Sequence, residues 1–119
     1  MASLLAPRRG EVWLVNFDPS IGNEIRKARH AVVIGSDALG RLPIKLVAPI
    51  TARKAHFAGN VWHVCIQPDS TNGLSKESAV DVLQVRGVDT KRFIERIGTV
   101  SADLLDEIIT SLMLVVEFQ

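Results

Sequence analysis

Among side chains able to do chemistry, the cationic run Arg26-Lys27-Ala28-Arg29-His30 stands out, because it leads directly into the apolar segment Ala31-Val32-Val33-Ile34. A guanidinium stays charged at every relevant pH and matches phosphate oxygens with paired hydrogen bonds. At the start of a buried strand, Arg29 would have the fixed aim that a site requires. An arbitrary basic pentapeptide is as a rule a solvated loop, so the residues alone leave both readings open. Thr51 closes the apolar stretch Leu46–Ile50 and precedes Ala52-Arg53-Lys54. A hydroxyl beside two cations can donate to a phosphate, although such a threonine more commonly caps a turn. Trp13 and Trp62 lie in apolar stretches and are expected in the core. Phe17, at the lip of a loop, is the better candidate for stacking on an unpaired base.

Other chemistries find less support. The three histidines and one cysteine are scattered, with no ligand pair at zinc spacing. No carboxylate cluster has the look of a magnesium site, there is no Gly-rich phosphate loop, and no serine stands in a Gly-x-Ser-x-Gly elbow. No metal or cofactor is expected. His30 has the intrinsic pKa of a general base. As the strand neighbour of Arg29 it is expected on the opposite face.

The elements that must position these groups fit one domain of 119 residues, 47% of them hydrophobic. Residues 1–8 are expected to be a loose N-terminal extension and residues 9–119 the single domain. Cys65 is the sole cysteine, which excludes an intrachain disulfide. It is expected to pack as a small hydrophobe, and a cytoplasmic location is the default. No stretch is long and apolar enough to span a bilayer as a helix. The net charge of +1 conceals an asymmetry: residues 1–59 carry nine Lys/Arg against four Asp/Glu, and residues 60–119 carry five against nine. Such a basic half can face a polyanion or pair with the acidic half.

Short strands are expected over Glu11–Phe17, Ala31–Ile34, Lys45–Ile50, Trp62–Ile66 and Ala79–Val85, separated by turn-rich connectors such as Asp18–Asn23. Pro49 suggests an edge or a bulge. Ser101 is a suitable N-cap, Asp103 suits the first turn, and Leu104, Leu105, Ile108, Ile109 and Leu112 recur at helical spacing. The spacing predicts a helix from about Ala102 to about Met113, with Leu114–Phe118 either extending it or adding a strand. The expected architecture is mainly β, a small antiparallel barrel capped by a C-terminal helix.

Taken in order, five segments resemble the MazF/PemK/Kid toxin family: Arg9-Gly10-Glu11-Val12-Trp13, Phe17-Asp18-Pro19-Ser20-Ile21-Gly22-Asn23-Glu24, Arg29–Ile34, Val47-Ala48-Pro49-Ile50-Thr51, and Gln84–Asp89 with Lys91-Arg92-Phe93 and Ile97-Gly98. The resemblance implies an SH3-like β-barrel that works as a homodimer, cleaves single-stranded RNA at short sequences without a metal, and is neutralised by a MazE-like antitoxin. The implied chemistry is attack by the ribose 2′-hydroxyl, leaving a 2′,3′-cyclic phosphate and a 5′-hydroxyl. The implied catalytic residues are Arg29 and Thr51. The implied RNA-binding residues are Phe17, Gly22, Asn23, Glu24, Lys27, Ala52, Arg53, Gln84 and Arg86. Two positions depart from the family pattern: His30 replaces a usual proline, and Leu83 replaces a frequent acid. The second departure suggests a different cut sequence. The same barrel also fits an inactive nucleic-acid or protein binder, or a gyrase-directed toxin, since fold alone does not fix function.

Overall fold

In the computed structural model, which describes residues 6–118, a sheet carries the apolar stretches and a single helix covers it. The strands are β1 (Glu11–Asn16), β2 (Ala28–Val33), β3 (Ile44–Ala52), β4 (His63–Ile66), β5 (Ser78–Asp81), β6 (Arg86–Asp89) and β7 (Phe93–Thr99), followed by α1 (Ala102–Val115). They run in the order β4-β5-β3-β2-β1-β7, all neighbours antiparallel, and β6 lies beside β3. β3 is the hub. Ile44–Val47 pair with β6 and Ile50–Ala52 with β5, while Val47–Pro49 pair with β2 on the opposite edge. One long strand shared between two sets of partners curls the sheet into a barrel.

Pro49 sits in the middle of this hub rather than on an edge strand. The Leu46 carbonyl accepts from Ile34 N at 2.9 Å, so residues 46 and 48 point their backbone groups at β2. Residue 49 then points the other way, into the gap between the β6-paired and β5-paired halves. A missing N–H costs no ladder bond there.

The sheet is buried on both faces. Val12, Val32, Ala48, Ile50 and Val80 pack under α1 against Leu105 and Ile108. Trp13, Val15, Ala31, Val33 and Val47 form a second cluster with Phe17 and Val88. Burial of alternate residues on opposite sides explains why Ala31–Ile34 is a continuous apolar run instead of an alternating one. Trp13 is buried as expected and meets Phe93 edge to face at 5.6 Å. Trp62 is half-buried against the helix-side cluster.

Ser101 caps α1 by accepting from Leu104 N at 3.1 Å, and Leu114 and Val115 extend the helix. Several expectations need correction. The strand expected over Ala79–Val85 stops at Asp81, whose carboxylate accepts from Leu83 N at 3.1 Å and turns the chain through a 3-10 turn, Val82–Gln84. β6 and β7 are strands that the sequence pattern did not reveal, and β7 exposes Ile94, Glu95 and Arg96. Cys65 is exposed because it alternates with Val64 and Ile66, which face the core. Most of the expected N-terminal extension, residues 1–5, lies outside the described residues. Its end is docked rather than loose: Pro7 is buried, and Arg8 N donates to Glu11 Oε1 at 2.8 Å.

A close backbone approach locks β7 to the loop before β5. A Cβ on Gly98 would lie 2.3 Å from the Thr71 carbonyl oxygen, and Thr99 N donates to that same oxygen at 2.8 Å.

Candidate active site

β2 and β3 pair with the register Ala31↔Pro49, Val32↔Ala48, Val33↔Val47. Continued by two residues, this register sets Arg29 opposite Thr51 on one face. Both line one open cavity of about 370 Å³ at the ends of these strands. Arg29 is exposed and belongs to none of the three ion pairs among the described residues. Its charge therefore faces solvent from the start of a strand whose continuation is fully buried and gives it a rigid base.

Lys76 and Ser78 line the same cavity, together with Ala52. Lys76 escaped the sequence reading because its arrival depends on β5 pairing with β3 through Thr51↔Ala79 and Ala52↔Ser78, a contact with no local signal. His30 pairs with Leu14, and strand alternation sets it on the face opposite Arg29. It still lines the cavity, because pairing between β2 and β3 ends at Ala31 and the opening wraps around the strand end. The expectation that alternation separates these two side chains is corrected to that extent.

A second cavity of about 390 Å³ adjoins along β3, lined by Glu24, Ile25, Pro49, Leu83, Gln84 and Arg86, among others. Pro49 precedes Thr51 by two residues, or roughly 7 Å of strand. The loop between β1 and β2 forms one wall. Phe17 N donates to Lys27 O at 2.8 Å, and Lys27 N donates to Asp18 Oδ1 at 2.9 Å, which closes the loop at its base. Lys27 takes a left-handed φ of 62° at this closure, and Gly22 one of 59° at the tip. Glu24 Oε1 accepts from Ile21 N at 2.7 Å.

Several residues named from sequence occupy places other than a free binding surface. Phe17 is 0% exposed, so its ring is not a stacking platform. It continues the inward alternation of Trp13 and Val15, and the Arg86 guanidinium lies 5.8 Å from its ring centroid. Gln84 donates to Asn23 O at 2.9 Å and accepts from Ile25 N at 2.7 Å, so its amide is occupied by the loop. Arg53 lines neither cavity. It is paired with Glu77 at 2.5 Å, which raises its own pKa, while hydrogen bonds from Gln67 and Arg53 hold the Glu77 carboxyl below the usual range. Gly22, Asn23 and Lys27 belong to the loop but do not line the two cavities. Leu83, the departure from the family pattern, stands exposed on the rim of the second cavity.

Away from the groove, His63 stacks on Phe57 at 3.7 Å and faces Asp81 across the strand pair at 3.9 Å. Burial pulls the imidazole pKa down against the opposing pull of Asp81, and burial pushes the Asp81 carboxyl up. Among the described residues, no three His, Cys, Asp or Glu side chains gather as a group able to hold a metal ion.

A barrel with a C-terminal helix, whose Arg29, Thr51 and Lys76 line one open cavity, defines a small β-barrel protein with a cationic groove. The family described as PemK-like, MazF-like toxin of type II toxin-antitoxin systems matches residues 8–116, and the chain belongs to that family. Endoribonuclease MazF9 of Mycobacterium tuberculosis (strain ATCC 25618 / H37Rv) is 32% identical over 113 residues, covering 90% of this chain and 93% of its own. Endoribonuclease toxin ChpB of Escherichia coli (strain K12) is 35% identical over 113 residues, covering 92% and 93%. The crystal structure of MazF from Deinococcus radiodurans superposes with a TM-score of 0.79 at 26% identity, over 95% of this chain and 98% of that one.

Proposed function

We propose that this protein is a toxin endoribonuclease, an mRNA interferase that cuts single-stranded RNA at a short specific sequence without a metal. Its cellular context on this reading is the cytoplasm, where a homodimer is restrained by a MazE-like antitoxin. No helix among the described residues is long and apolar enough to cross a membrane. The observation that carries the reading is that Arg29 and Thr51 line one open cavity, with Arg29 exposed and in none of the ion pairs among the described residues.

In metal-free cleavage the ribose 2′-oxygen attacks the adjacent phosphorus and the 5′-oxygen leaves. The products are a 2′,3′-cyclic phosphate and a 5′-hydroxyl. Negative charge builds on the non-bridging oxygens as the reaction proceeds. A guanidinium aimed at those oxygens stabilises them more in the transition state than in the ground state. Arg29 supplies that fork, and the Thr51 hydroxyl is a second donor. Lys76 adds a cation that attracts the polyanion to the groove. His30 also lines this cavity, and its intrinsic pKa makes it the candidate for moving a proton, to be tested by the pH–rate profile of His30→Ala. RNA is preferred over DNA because deoxyribose lacks the attacking group, and unpaired bases expose edges that a groove can read.

Incubation with single-stranded RNA in EDTA tests this. Cleavage to cyclic-phosphate ends is the expected result. Binding without cleavage would instead indicate a binding module, and gyrase inhibition without RNA cleavage a gyrase-directed toxin.

A further inference from the structure

Gln84 lies on the wall of the second cavity, yet its amide points at protein. A primary amide offers one acceptor and one NH₂ donor group. Here Oε1 accepts from Ile25 N at 2.7 Å and Nε2 donates to Asn23 O at 2.9 Å. The side chain thus mimics a neighbouring strand, holding two alternate backbone positions of a loop about sixty residues away in sequence.

The platform under Gln84 is rigid. Its 3-10 turn is capped by Asp81 and anchored by Val82, which is buried in the helix-side core and donates its N–H to Trp62 O at 2.9 Å. The loop it holds is largely exposed, and hydrogen bonds within its tip join Glu24 to Ile21 and Arg26 to Gly22. Arg92 ties the loop's near end through Asn16 O and Asp18 O. At the far end, the Ile25 side chain packs on the interior cluster. Glu24 sits between the two residues that Gln84 holds, and it faces the cavity.

We infer that Gln84 is a positioning residue: it clamps Asn23–Ile25 so that Glu24 forms the wall of the RNA groove, and it acts on substrate through that loop rather than by touching a base. The part concerning RNA rests on the ribonuclease reading; the clamp itself does not. With each end committed to the loop, only one N–H and one lone pair of the amide remain for any other partner. Loss of the clamp therefore frees the loop, weakens substrate capture, and leaves the Arg29–Thr51 chemistry in place.

Hydrogen exchange of the full-length protein, followed by NMR, tests the clamp, and steady-state cleavage tests its consequence. In wild type the Ile25 amide should be protected by its bond to Gln84 Oε1. Gln84→Ala should speed its exchange about tenfold or more, as expected for one or two lost hydrogen bonds. The amides of Val32 and Val80 should keep their protection. KM for RNA should rise while kcat stays within about threefold, with the cut sequence unchanged. Gln84→Glu guards against a variant that fails to fold. Its carboxylate still accepts from Ile25 N but cannot donate to Asn23 O, so Ile25 should stay protected and KM should rise less. An unprotected Ile25 amide in wild type would overturn the clamp. So would a Gln84→Ala variant that changes the cut sequence while Ile25 stays protected, because Gln84 would then be reading RNA directly. If wild type cuts no RNA but Gln84→Ala still releases Ile25, the clamp stands and the ribonuclease reading fails.

Discussion

Replacing Arg29 with alanine removes one charged donor from the groove and almost nothing else. The side chain is exposed and shares in none of the ion pairs among the described residues, so its loss strands no buried partner. A surface change of this kind alters stability by no more than about 0.5 kcal/mol. The chemical consequence is much larger. Removing one preorganised donor from a developing oxyanion costs about 10²–10³ in rate, or roughly 2.7–4 kcal/mol. Arg29→Lys keeps the charge but loses the planar fork, and should fall between wild type and alanine. The assay is single-turnover cleavage of an end-labelled single-stranded RNA at saturating protein, with a thermal melt of each variant alongside. A Tm within about 2 °C of wild type and a rate down by about 10² or more is the expected pair of results. Cleavage at the wild-type rate would refute the assignment. A lost rate accompanied by a melt lowered by ten degrees would show that Arg29 serves the fold.

Further predictions concern the hydroxyl, the backbone lock and pH. Thr51→Val should slow cleavage by about tenfold or more while Thr51→Ser retains most of it; equal rates for the two would remove the hydroxyl from the mechanism. Gly98→Ala must push the Thr71 carbonyl away from a position only 2.3 Å from the new Cβ, and overpacking of this kind costs about 1–3 kcal/mol. An unchanged urea midpoint would mean that the loop yields freely. The His63 imidazole is held by burial below its unfolded value of about 6.5, so the unfolded chain binds a proton that the folded chain refuses. Stability is therefore full above that value and declines as pH falls below it. Asp81, pushed up by burial, contributes with the opposite sign and at lower pH, its penalty appearing as pH rises through its raised pKa. Urea unfolding at pH 7.5 and 5.5 should show the loss in wild type and a smaller one in His63→Phe; equal losses would exonerate His63.

The hub of the fold was legible because β1, β2 and β3 carry the apolar residues of both cores, and α1 carries a cap and a helical stripe. β6 and β7 were not. β6 is four residues long, and β7 places Ile94, Glu95 and Arg96 in solvent, so neither shows a clean buried period. The end of β5 was misread because Val82 continues an apolar run while Asp81 bends the backbone. Within the site, Arg29 and Thr51 are separated by 22 positions in the sequence yet line one cavity because β2 and β3 are paired neighbours, which residue types alone do not reveal. The resemblance to a known family supplied that pairing. Phe17 was expected to be exposed because it stands beside a turn-rich loop, whereas inward alternation from Trp13 and Val15 carries its ring into the core, at the floor of the second cavity. The amide of Gln84 shows the converse: a side chain matched to a binding face proves to be engaged in holding that face together.

The reaction is tested most directly with three matched oligonucleotides in EDTA: all-ribose, all-deoxyribose, and deoxyribose with a single ribose on the 5′ side of the cut. Cutting of the first and third with a cyclic-phosphate end, and survival of the second, is what an internal 2′-oxygen nucleophile activated beside Arg29 requires. Scission of the all-deoxyribose strand, or a 3′-hydroxyl at the newly cut end of the upstream product, would contradict it.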